Sequence, residues 1–177
     1  MTLRPLTTLT AYAEDLFTDD QLTAHTRTGG SVSEQIQLRA YCLAAMDYAE
    51  QFCRQPLFRR AFELTGVGAV RDLPGLGLIS VSGITYQYQL ETAVTLATTD
   101  YLQHGNRLSY YLTSKAFGSH DVLRVTYEAG VLATEVPESI RQAVLLMTED
   151  FYNNRADSVR DRESLFKILL NSFVYRT

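Results

Sequence analysis

Between residues 38 and 52 the apolar side chains Leu38, Tyr41, Cys42, Ala45, Tyr48, Ala49 and Phe52 recur at steps of three and four; between 84 and 90 the step is two. A helix of 3.6 residues per turn gathers the first set on one face, and a pleated strand gathers Ile84, Tyr86, Tyr88 and Leu90 on one side, opposite Thr85, Gln87 and Gln89. The period then returns to three and four in Ile140, Ala143, Val144, Met147 and Phe151. A chain that switches from helical to strand period and back is confined to an α+β architecture.

The long helix is expected over 33–53, with Ser33 as its cap, Gly29-Gly30 as a break before it and Pro56 closing it. Short helical pieces are expected over Thr10–Leu16 and Asp19–Thr26, the second headed by Thr18 or Asp19. Strands are expected near 58–64, 78–90, 93–97, 107–112 and 122–128, forming an antiparallel sheet. Its turns fall at Pro74-Gly75-Leu76-Gly77, His104-Gly105-Asn106 and Gly118-Ser119. Pro137 suits the first turn of a helix reaching about Asn154, and the charged stretch 156–163 is expected to be exposed. With 177 residues and no Gly/Ser/Pro-rich linker, the expectation is one domain: helical parts at 1–56 and 135–177, with a β-rich subdomain at 57–134. The fold class is accordingly α+β, read as a mostly helical bundle with an inserted antiparallel β subdomain.

Sixteen basic residues face twenty acidic ones, a net charge of −4, which supplies none of the phosphate attraction behind general nucleic-acid binding. Residues 1–17 contain one Arg and no continuous apolar block, so no signal peptide is expected, and no apolar run approaches the ~18 residues of a membrane span. Cys42 and Cys53 share one helix at a separation too great for a disulfide.

Catalytic chemistry is sparse. His25, His104 and His120 are scattered, and neither a His-x-x-x-His pair nor a Cys-x-x-Cys pair is present, so no metal site is expected. Gly30-Ser31-Val32-Ser33 fails the nucleophile-elbow pattern. Gly66-Val67-Gly68 and Gly75-Leu76-Gly77 lack the third glycine or the Lys-Ser/Thr of phosphate loops. Asp19-Asp20 and Glu149-Asp150 are sequence neighbours that diverge by about 100° on a helix. The eleven tyrosines suit core edges and subunit surfaces.

One stretch carries a resemblance. Tyr127-Glu128-Ala129-Gly130 is followed by Val136-Pro137-Glu138-Ser139-Ile140-Arg141-Gln142-Ala143-Val144-Leu145-Leu146-Met147 and by Phe151-Tyr152-Asn153-Asn154-Arg155. Ahead of it stand Phe52-Cys53-Arg54-Gln55-Pro56-Leu57 at a helix end, and Leu73-Pro74-Gly75-Leu76 before Ile79-Ser80-Val81-Ser82-Gly83-Ile84-Thr85-Tyr86. In this order the pieces resemble the head-to-tail connector, or head-completion adaptor, proteins of long-tailed bacteriophages and related gene-transfer particles. The resemblance implies a structural virion protein with no enzymatic activity, no cofactor and no membrane association. It implies a homo-oligomeric ring of about twelve copies at the capsid-tail junction, assembled in the host cytoplasm. The ring binds the portal protein on one side and a head-tail stopper or tail-terminator protein on the other, and encloses double-stranded DNA without sequence-specific contacts.

The C-terminal block Leu165–Tyr175 is strongly apolar for a chain end. Leu165, Phe166, Leu169, Phe173 and Tyr175 are therefore candidates to dock on the portal or on a neighbouring subunit, with folding back on the chain's own core as the open alternative. Two other function classes also stay open at this level: a small hydrolase or transferase built on one histidine, and a ligand-binding regulatory module.

Overall fold

The computed structural model describes residues 6–12, 14–67, 70–77, 79–88, 91–110, 121–154 and 165–175. The chain divides into two compact units, Met1–Ala13 with Phe58–Val131, and Glu14–Leu57 with Leu132–Thr177. The first is a sheet unit and the second a helical unit, of nearly equal length. The fold is thus α+β, and the expectation of a mostly helical chain is corrected: the sheet forms its own core and is no minor insertion.

The sheet unit contains β1 (Leu6–Thr8), β2 (Arg60–Val67), β3 (Ser80–Tyr88), β4 (Val94–Thr95), β5 (Tyr101–His104), β6 (Arg107–Tyr110) and β7 (Asp121–Ala129). Five of these form an antiparallel sheet in the order β1-β2-β7-β3-β4, and β5-β6 form a separate hairpin. Alternation sets the faces. Phe62 lies opposite Tyr127 and Leu64 opposite Val125, which in turn lies opposite Ile84, so these side chains share the buried face. Val70, Leu73, Ile79, Leu96 and Leu108 complete that core. A bulge between Val81 and Gly83 shifts the β3 register by one residue. Gly105, at φ +59, opens the two-residue turn of the hairpin, where the first central position of a type II′ turn demands left-handed backbone. Backbone bonds from Leu73 to Asn106 (2.8 Å) and from Leu108 to Arg71 (2.7 Å) tie the hairpin to the loop after β2.

Residues 6–12 are not helical. Leu9 N–H donates to the Ala61 carbonyl at 2.9 Å, and Ala61 N–H donates to Thr10 Oγ1 at 3.0 Å. Tyr12 meets Phe58 edge-on at 5.7 Å and lies beneath the Arg60 guanidinium at 4.1 Å. The sheet edge overrides the local helical tendency expected over Thr10–Leu16 because extended backbone gains partners there that a short isolated helix lacks.

The helical unit contains α1 (Asp19–Thr26), α2 (Val32–Cys53), α3 (Glu138–Asn153) and α4 (Leu165–Leu170), with single 3₁₀ turns at Ala133–Glu135 and Asn171–Phe173. Thr18 and Gln21 form a capping box on α1. Ser31 and Glu34 do the same on α2, so the cap falls two residues ahead of Ser33: the Ser-x-x-Glu spacing satisfies two amides reciprocally. Leu38, Cys42, Ala45, Met46 and Ala49 of α2 pack in a core with Ile140, Ala143, Val144 and Met147 of α3, Leu22 of α1 and Leu170 of α4.

Gly130 holds the two ends of the 58–131 stretch together. Its φ is +93, and a Cβ there would stand 2.3 Å from the Phe58 carbonyl carbon. Gly130→Ala should therefore cost roughly 3 kcal/mol or more and lower the midpoint of thermal unfolding by about 10 °C. Gly83→Ala, where a Cβ meets nothing within 4 Å, should stay within about 1 kcal/mol of wild type. Calorimetry of the two variants checks both values.

Candidate partner-binding surface

The C-terminal block is seated on the end of α2. The Phe166 ring meets Tyr48 edge-on at 5.7 Å and 85°. The Cys53 thiol donates to the Leu170 carbonyl at 3.7 Å, while the Cys53 carbonyl accepts from Tyr175 N–H at 2.8 Å. Gln55 Nε2 donates to the Phe173 carbonyl. Hence the helix end that Arg54 terminates in left-handed backbone is also the anchor for the 3₁₀ turn Asn171–Phe173 and the residues just after it.

This seating sorts the five candidate residues. Phe166, Leu169, Phe173 and Tyr175 are half-buried against their own unit, and Leu165 is exposed at 59%. Ile168, which the composition of the block did not single out, is exposed at 64% and lies one turn along from Leu165 on the same face of α4. Leu170, wholly buried, is the residue that pins the block.

A second apolar surface lies on α2. Val32, Ile36 and Leu43 are exposed at 73%, 64% and 46%. At 100° per residue they fall within about 40° of one another, forming an outward stripe. The sequence reading missed it because the steps of three and four drew attention to the buried face. The signal was present: Val32, Ile36 and Leu43 follow an i, i+4, i+11 pattern displaced from that face.

Beside the first turns of α2 an open cleft of about 450 Å³ is lined by Asp15, Leu16, Phe17, Thr18, Asp19, Asp20, Gln21, Gln35 and Arg39. Two of its carboxylates, Asp15 and Asp19, hold Arg39 in place. Arg39 Nη2 donates to Asp19 Oδ2 at 3.1 Å, Arg39 Nη1 stands 3.7 Å from Asp15 Oδ2, and the Asp19 contact holds the guanidinium pKa above its ordinary value. Asp150 Oδ1 accepts from the Asn154 side chain at 2.7 Å, and Glu149 Oε2 stands 3.3 Å from His25 Nε2. His104 sits on the exposed hairpin turn; His120 and the Gly118-Ser119 turn lie outside the described residues. Among the described residues there is no cluster of three potential metal ligands, and no helix is long and apolar enough to cross a membrane.

The residues of the connector-like segment hold structure as well. Glu128 pairs with Arg59 at 3.3 Å, and the Tyr127 hydroxyl donates to the Pro74 carbonyl at 3.1 Å. Arg141 donates to the Ala133 carbonyl at 3.1 Å and lies 4.7 Å over the Phe17 ring. Charge separates by unit: seven basic against six acidic residues in the sheet unit, nine against fourteen in the helical unit.

No family model matches the chain, and no curated protein matches it. Solved structures do. A chain of the virion of a native gene transfer agent (GTA) particle superposes with a TM-score of 0.76 at 18% identity, covering 97% of this chain and 96% of that one. Chains in the neck of an empty GTA particle, computed with C6 symmetry, and of a native one, computed with C12 symmetry, give TM-scores of 0.72 and 0.68. Both are 20% identical, covering 98% of this chain and 97% of theirs. The whole α+β architecture, both units included, is therefore shared with chains of GTA particles.

Both cysteines are buried, and burial pushes their thiols from about 9.0 up to about 11. In the native protein at pH 8 neither should react with a thiol-disulfide reagent at the rate of a free thiol, and both should react at once in denaturant. Because the folded-state values are raised, the stability from the neutral thiols is complete below about pH 9 and is lost as pH rises toward 11. A Cys42→Ala variant should show a shallower alkaline fall in its unfolding midpoint than wild type.

Proposed function

We propose that this chain is a structural component of a virion or gene-transfer particle: a head-to-tail connector that forms a ring of about twelve copies below the portal. The observation that carries this reading is the superposition of 97–98% of the chain on chains from GTA particles, two of them in the neck. The segment from Tyr127 to Asn154 adds independent support, since its connector-like residues hold the strand end, the 3₁₀ turn and the α3 start and offer no catalytic group.

Function then consists of association. The portal occupies one face of the ring, a stopper or tail-terminator protein the other, and double-stranded DNA passes through the hole. An acidic helical unit suits a conduit: a basic lining would hold phosphates through counterion release, whereas excess carboxylates leave the duplex free to slide. The apolar C-terminal block, with Leu165 open and Phe166, Leu169, Phe173 and Tyr175 only half covered, is the surface offered to the portal or to a neighbouring copy.

The full chain, alone and mixed with a portal ring, should give by native mass spectrometry and negative-stain imaging a complex of about twelve copies on the portal. A full chain carrying Leu165→Asp, an exposed position whose change leaves Leu170 in the helical core, should keep both cores and lose that complex. A monomer indifferent to portal would overturn the connector reading; a Leu165→Asp chain that still assembles would overturn the role of the block.

A further inference from the structure

We draw no further inference here: the strongest candidate, the exposed apolar stripe of Val32, Ile36 and Leu43 along α2, is a surface patch for which nothing in the structure shows what covers it.

Discussion

The close approach of Gly130 to Phe58 is the constraint on which the sheet unit depends. Val131 accepts from Arg59 N–H at 3.1 Å, Gly130 N–H donates to the Leu76 carbonyl at 3.0 Å, and Phe58 bridges Val131, so three stretches of backbone converge where a side chain on residue 130 has no room. The sequence from 58 to 131 leaves and returns at one place, which is what allows these 74 residues to fold as a unit on their own core. The Ala-Gly step of the connector-like segment is thereby explained by sterics, independently of any likeness to other proteins.

Helix α2 performs the corresponding task in the other unit, with its circumference divided three ways. One sector buries Leu38, Cys42, Ala45, Met46 and Ala49; a second carries Tyr41 against Tyr152 and Tyr48 against Phe166; the third exposes Val32, Ile36 and Leu43. A helix that is partly apolar outside has a surface that water does not favour, and the Leu165–Ile168 face of α4 has the same character. The buried Glu50 adds rigidity at the helix end, its Oε1 accepting from Leu57 N–H at 2.9 Å as the chain turns away.

The helix periods and the α3 start at Pro137 were legible because propensity, capping and burial agree there. So was the antiparallel sheet, through the alternation in β3 and β7. Three features were hidden for physical reasons. Residues 6–12 depend on the β2 edge and on Arg60 over Tyr12, contacts about fifty residues away. β5 (Tyr101–His104) has one strongly apolar interior position and is recognisable only as the partner of β6. The cap at Ser31 required weighing Glu34 three residues on. The candidate surface was half legible: composition marked the C-terminal block, but the division of its side chains between the Tyr48 flank and open solvent follows from where α4 docks.

Charge shows the same difference between order along the chain and order in space. Counted by segment, the net charge is nearly even: −1 for residues 1–60, −2 for 61–134 and −1 for 135–177. Counted by unit, it is +1 for the sheet and −5 for the helices, since Arg4, Arg59 and Arg60 belong with the sheet. At physiological ionic strength fields decay over about 8 Å, so the local density matters and the total of −4 does not. A duplex near the helical unit meets repulsion, whereas the near-neutral sheet neither draws nor rejects it. The fold thus gathers its excess of acid in the helical unit, fourteen acidic residues against nine basic, and leaves the sheet unit close to balance, an asymmetry that the sequence taken segment by segment conceals.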